Sequence, residues 1–172
     1  MQYSIDRLNA ELNARNGLAR KNRYNVNILG PAREALSILC TECSIPSMTL
    51  TAADTGLIAN KYKIAAGYSY DAVTFKFMLP GNSSRSGPKE FFDEWMLKTV
   101  MLDKDKYILN YPDDYRQDVQ IEQLDLNNKV IYAVKLLRAW PVSIDSMTMS
   151  NSSEDIQEIS VNMEYHDIEV LL

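Results

Sequence analysis

The sequence predicts a mostly β protein, a β-barrel or two-sheet antiparallel sandwich, with a short N-terminal helix and one covering helix near residues 88–102. Three observations predict it. Short segments alternate apolar and polar residues with period two, as Val73, Phe75, Phe77 and Leu79 do against Thr74, Lys76 and Met78. Two segments, 119–126 and 130–140, flank Asn127-Asn128, and Asn tolerates the positive φ of a tight hairpin. Strands also follow one another without the strand-helix-strand alternation of a parallel sheet.

Taken in order, Ile5, Leu8 and Leu12 recur at helical spacing behind Ser4, a fitting N-cap, and predict a helix over residues 4–15 that ends at Asn16-Gly17. A basic connector leads to Tyr24-Asn25-Val26-Asn27-Ile28, a half-buried strand. Leu36 to Cys43 reads as a second strand. Residues 44–67 are too long for an ordinary connection. They hold strand-like pieces at Met48-Thr49-Leu50 and Tyr62-Lys63-Ile64, so they form a long hairpin or loop, and such excursions tend to be functional. After the strand at 73–79, the stretch from Pro80 to Gly87 breaks the pattern. Pro88 then opens the covering helix, capped by Ser86 or Gly87, with Phe91, Phe92, Trp95, Met96, Thr99 and Val100 on one face. Tyr111-Pro112-Asp113-Asp114 is a turn. Trp140-Pro141 ends the second hairpin strand, 144–149 makes a short strand, and Ile159, Val161, Met163 and Tyr165 mark a last core strand.

At 172 residues, 46% of them hydrophobic and 24% charged, the chain suits one domain over 1–172. No apolar run approaches the roughly 20 residues of a membrane span, and the polar start, Met1-Gln2-Tyr3-Ser4-Ile5-Asp6-Arg7, is unlike a signal peptide. Asn82-Ser83-Ser84 and Asn151-Ser152-Ser153 match a glycosylation sequon but read as polar loops. A net charge of -5 speaks against gripping nucleic acid through its phosphates. The charge is uneven: six acids and no Lys or Arg lie between Asn151 and Leu172, while Arg15, Arg20, Lys21 and Arg23 make the N-terminal stretch basic. That asymmetry suits head-to-tail contact between copies.

The chemical inventory favours structural readings, with no catalytic, cofactor or metal residues expected. Cys40 and Cys43 fall on a strand, where positions three apart face opposite sides about 10 Å apart, and they read as reduced structural thiols. His166, the single histidine, occupies the polar register of a strand. Ser86-Gly87-Pro88-Lys89 matches S-x-x-K without its companion motifs and reads as a helix cap. Asp113-Asp114 and Glu154-Asp155 are adjacent acids on turns, where side chains diverge rather than converge on a substrate. A small hydrolase built on Ser86 or His166 is the remote enzyme reading.

Several strings, in order, resemble the tail tube protein family of contractile-tailed bacteriophages. Leu18-Ala19-Arg20-Lys21-Asn22-Arg23-Tyr24-Asn25-Val26 is similar to the family's A-R-x-N-x-F-x-V lead into its first strand. Cys43-Ser44-Ile45-Pro46 resembles its small-apolar-Pro step before the long loop, and Phe92-Asp93-Glu94-Trp95 its aromatic-acid-Trp helix. Leu137-Arg138-Ala139-Trp140-Pro141-Val142-Ser143-Ile144 resembles the G-x-W-P-x-x-I/V step, with Ala139 where the family often has Gly, and 158–165 resembles the final strand. The ending Glu169-Val170-Leu171-Leu172 lacks the family's aromatic-rich C-terminus.

The resemblance implies a structural virion protein, assembled in the host cytoplasm, whose copies form stacked hexameric rings: a tail tube inside a contractile sheath. Its implied partners are other copies, sheath, baseplate and tail-terminator proteins, with DNA passing the channel unbound, no membrane and no cofactor. A baseplate tube-initiator and a secretion-system tube protein share the implied fold. Within this reading Pro46, Met48, Leu50, Leu57, Ile58 and Lys61 are the expected ring-stacking residues, because a lone monomer would leave the apolar ones partly wet.

Overall fold

The computed structural model describes residues 5–14, 17–28, 34–55, 62–81, 87–103, 106–152 and 155–171. Ser4, Arg15, Asn16, Asn82 to Ser86, Ser153 and Glu154 lie outside them, as do Leu57, Ile58 and Lys61. Helix α1 spans Ile5–Ala14 and stops where Gly17, at φ +88°, donates its N–H to the Leu12 carbonyl at 2.7 Å. Its apolar stripe covers nothing: no α1 residue is buried.

The core is one antiparallel sheet folded over on itself. Strand β1 (Tyr24–Ile28) pairs with β8 (Gln117–Leu124), and β8 pairs with the long β9 (Val130–Ile144). The C-terminal part of β9 crosses to β10 (Glu158–Glu164), which pairs with β5 (Val73–Met78), and β5 with β2 (Cys40–Cys43). Strand β11 (Asp167–Val170) joins the first half of β9 on the edge opposite β8. Alternation drives the fold-over. Val26, Ile28, Val119, Ile121, Val134 and Leu136 from one leaf meet Val73, Phe75, Phe77, Ile159, Val161 and Met163 from the other, and all are buried. Helix α3 (Pro88–Thr99) adds Phe92 and Trp95, with the Phe92 ring tilted against Phe77 at 5.1 Å and the Trp95 indole N–H donating to the Tyr115 carbonyl at 2.6 Å.

Helix α3 begins as expected, with Gly87 at its N-cap and Pro88 in the first turn. It ends at Thr99 rather than 102, because Val100–Asp103 forms β6 and pairs with β7 (Lys106–Leu109). Four further expectations need correcting. The apolar run after Glu34 is not all strand: Glu34–Leu39 is a helical turn and a half, α2, and only Cys40–Cys43 is extended. Pro141 does not end β9. It faces Met163 beside a bulge, with no strand on its other side among the described residues, so its missing N–H removes no ladder bond. Residues 145–150 form no strand, and the turn at 112 is a single helical turn, α4 (Pro112–Tyr115). The hairpin around Asn127-Asn128 is as expected. Asn128 has φ +61°, and the Asp125 carboxylate accepts the N–H groups of Asn127 and Lys129.

Candidate assembly surfaces

Strands β3 (Met48–Thr55) and β4 (Tyr62–Tyr70) form a two-stranded sheet of their own, the hairpin expected over 44–67 but longer. Its base is stitched to the body. The Ser44 N–H donates to the Thr74 carbonyl and the Ser44 hydroxyl oxygen accepts the Thr74 N–H at 2.9 Å, the Ser47 hydroxyl donates to the Asp71 carboxylate, and the Tyr165 hydroxyl donates to the Asp71 carbonyl at 2.7 Å. Beyond that base the hairpin is exposed on both faces. An isolated two-stranded hairpin is marginal in water unless something packs against it.

A bulge organises the arm's apolar surface. Thr51 pairs with Gly67 but Ala52 pairs with Ala65, so Ala66 has no partner and β4 changes face there. In regular alternation Tyr62, Ile64, Tyr68 and Tyr70 would share one face. Instead Met48, Leu50, Tyr68 and Tyr70 line one side near the base, and Ile64 and Tyr62 lie on the other side near the tip. Leu50 is 59% and Tyr68 63% exposed. Of the expected stacking residues, Met48 and Leu50 are therefore on the exposed arm and Pro46 is half-buried at its base. The tyrosines of β4 were missed, although their even spacing is visible in the sequence. A second exposed hairpin, β6–β7, presents Tyr107 and Leu109, also unforeseen.

The folded sheet stays open between β1 and β2, leaving a cleft of about 860 Å³ lined by Tyr24, Cys40, Cys43 and Tyr132 among others. Two bonds span the seam: the Tyr24 hydroxyl donates to the Cys40 carbonyl at 2.8 Å, and the Ser37 hydroxyl oxygen accepts the Val26 N–H at 3.2 Å. Here the cysteine geometry departs from expectation. A register shift at Thr41 sets Cys40 opposite Phe77 and Cys43 opposite Phe75, so both thiols face the core instead of opposite sides. Both are free thiols, and burial pushes Cys40 up to about 12 and Cys43 up to about 11.

Midway along β9, Arg138 takes φ +53°, a left-handed conformation rare for a side-chain-bearing residue. Its N–H is held by the Asp118 carboxylate at 2.9 Å, and Asp118 also pairs with Lys135 at 2.8 Å. Nearby, the turn Glu164-Tyr165-His166-Asp167 and the arm's Tyr68, Ser69 and Tyr70 enclose a smaller cleft of about 390 Å³. His166 is exposed there, its backbone N–H donating to the Leu137 carbonyl. Lys89 pairs with Asp93 one helical turn on, and Asp113 and Asp114 are exposed on α4. Among the described residues no group of three His, Cys, Asp or Glu side chains is placed to hold a metal ion, and no helix is long and apolar enough to cross a membrane.

A β subunit that leaves an apolar, two-faced arm uncovered is built for assembly. The chain belongs to the phage tail tube protein family, which it matches over residues 13–170. No curated protein is similar to it in sequence. Among solved structures, it is similar to a chain of the sheath-tube complex of the PVC extracellular contractile injection system in its extended state, at TM-score 0.66 and 14% identity over 98% of each chain. It is also similar to a chain of the anti-feeding prophage baseplate, at TM-score 0.61 and 16% identity over 90% of this chain and 95% of that one. Hcp1 from Flavobacterium johnsoniae shares the fold more loosely, at TM-score 0.50 and 10% identity over 87% and 94%. At these identities the likeness concerns the fold, and it agrees with the mostly β architecture expected from the sequence.

Proposed function

We propose that the chain is one tail-tube domain over 1–172 that acts as a tube subunit: copies close head to tail into hexameric rings, and rings stack into a channel inside a contractile sheath. The observation that carries this is the arm. In a member of the tail tube family, a hairpin uncovered on both faces needs neighbours on both faces, and a ring in a stack supplies them. The anti-feeding prophage baseplate, a fold neighbour, was itself symmetrised six-fold. A net charge of -5 suits a conduit for DNA, since a negative wall lets phosphates slide rather than stick. Sheath, baseplate and terminator proteins are the further partners, in the tail of a virion or a related particle assembled in the host cytoplasm.

In this reading Pro46, Met48, Leu50, Leu57, Ile58 and Lys61 belong to the ring-to-ring contact. Each fully buried large apolar side chain contributes roughly 1.5–3 kcal/mol, so a contact repeated around a ring dominates stacking. Changing Leu57 and Ile58 to Asp should stop tube growth while the subunit stays folded by circular dichroism. Tubes of normal length from that variant would remove the arm from the stacking contact. The likeness to a baseplate chain supports a second reading, a tube-initiator of the same fold. Copy number in purified particles separates the two: many copies per tail for a tube subunit, a single ring's worth for an initiator.

A further inference from the structure

The two charged segments of this chain lie at opposite ends of one leaf of the sheet. The basic connector precedes β1, where Leu124 donates its N–H to the Arg23 carbonyl and the Arg23 guanidinium donates to the Asn128 side chain at 2.7 Å. It therefore lies beside the turn that joins β8 to β9, near Val130. Arg20 and Lys21 are exposed there. The acidic turn of Glu164 and Asp167 is fixed to the other end of the same ladder, with Asp167 opposite Leu137 and the His166 N–H on the Leu137 carbonyl. From Val130 to Leu137 the strand rises about 23 Å at 3.3 Å per residue. Within one subunit these segments do not meet.

The acidic end is also shaped to receive something. Glu164 and Asp167 flank the smaller cleft, whose other walls are Tyr68 and Tyr70 of the arm and Tyr165. The Tyr70 and Tyr165 rings lie 6.3 Å apart, and Tyr68 meets Tyr70 edge-on at 5.6 Å. Burial, then the neighbouring Glu164 and Asp71, push the Tyr165 phenol up to about 12, so that ring stays neutral at ordinary pH. Aromatic faces beside carboxylates are a receptor for Lys and Arg side chains, which bind through ion pairs and over ring faces.

Resting on the reading of this chain as a stacking tube subunit, we infer that the cleft between the arm base and the 164–167 turn takes the basic connector, Arg20 and Lys21, of a copy in the next ring. Charge complementarity names the occupant, and the opposite-end placement makes the contact heterologous: one copy's connector enters the next copy's cleft, which repeats along an axis without closing. The cleft is continuous with the proposed stacking arm through Tyr68 and Tyr70.

Charge reversal tests the inference, with polymer length read by electron microscopy and sedimentation and folding by thermal denaturation. Arg20→Glu with Lys21→Glu, and separately Glu164→Lys with Asp167→Lys, should each leave folded rings that no longer stack. The four changes combined should restore stacking, because the pairs are reversed together. Normal tubes from either reversed pair, or no recovery in the combined variant while each pair alone stays folded, would overturn the inference. Should the 164–167 variant fail to fold, the connector variant alone decides, since it alters only exposed side chains. Tubes absent from the wild-type protein under all these conditions would instead strike the tube-subunit reading on which the inference rests.

Discussion

The carboxylate of Asp118 holds the backbone N–H of Arg138 at 2.9 Å, and with it the left-handed residue at which β9 leaves β8 and crosses toward β10. A left-handed backbone costs an ordinary residue about 1–2 kcal/mol, and glycine almost nothing. Arg138→Gly should therefore leave stability within about 1 kcal/mol of wild type, strain relief offsetting the added chain entropy. Arg138→Val, β-branched at the same backbone, should be the least stable of the three in urea unfolding.

Asp118 also makes a pH prediction. The Arg138 N–H, then Lys135, hold its carboxyl below the usual carboxylate range. A carboxyl lowered in the folded state stabilises the fold fully above its unfolded value, near 3.9, and loses that contribution as pH falls through the folded value. Acid unfolding of wild type should therefore steepen below about pH 4. Asp118→Ala should be less stable near neutrality by roughly 0.5–1.5 kcal/mol for the lost hydrogen bond, with a flatter acid limb. Equal acid sensitivity in the two proteins would contradict this role.

The seam gives the opposite sign. The thiols of Cys40 and Cys43 are pushed up to about 12 and about 11 by burial, and the Tyr24 phenol is raised as well, first by burial and then by the two cysteines. Groups raised in the folded state contribute stability below their unfolded values, and lose it as pH climbs from about 9 through the folded values. Stability should fall across pH 9–12, and Cys40→Ser with Cys43→Ser should blunt the fall. Alkylation of both thiols at pH 8 should be slow until the protein is unfolded, and rapid labelling of folded protein would refute their burial.

Much of this architecture was legible. Strict alternation in Val73–Met78 and Glu158–Glu164 marked the two central core strands, and Asn127-Asn128 marked the hairpin, because in each case one local signal agreed with the tertiary environment. The errors fell where two signals conflicted. Leu36, Ile38, Leu39 and Cys40 form a short apolar run that fits a strand or a helical turn equally well, and the chain uses both. Trp140-Pro141 looked like a stop because proline cannot donate, but a bulged edge asks for no donor there. Ala139, where the family's step often has Gly, has no positive φ, and the left-handed residue is Arg138 beside it, with nothing in its side chain to mark it. Bulges at Thr41 and Ala66 were invisible because register is a property of strand pairs, and each moved side chains to an unexpected face.

The bulge in the arm is directly testable. Inserting one residue between Thr51 and Ala52 gives Ala66 a partner and should restore alternation, bringing Tyr62 and Ile64 to the face of Tyr68 and Tyr70. The core pairs none of its strands with β3 or β4, so the subunit should melt within a few degrees of wild type. Assembly should fail, because one face of the arm would lose its apolar patch. Unimpaired polymerisation of the insertion variant would show that the split patches are not used by two neighbours.

As a tube subunit, this chain would be completed by copies of itself around a channel. Class averages of the purified protein in negative stain, taken over a wide concentration range, test it most directly. The account predicts six-fold rings with an open centre, alone or in short stacks. Compact monomers or closed dimers without a channel at every concentration would contradict it.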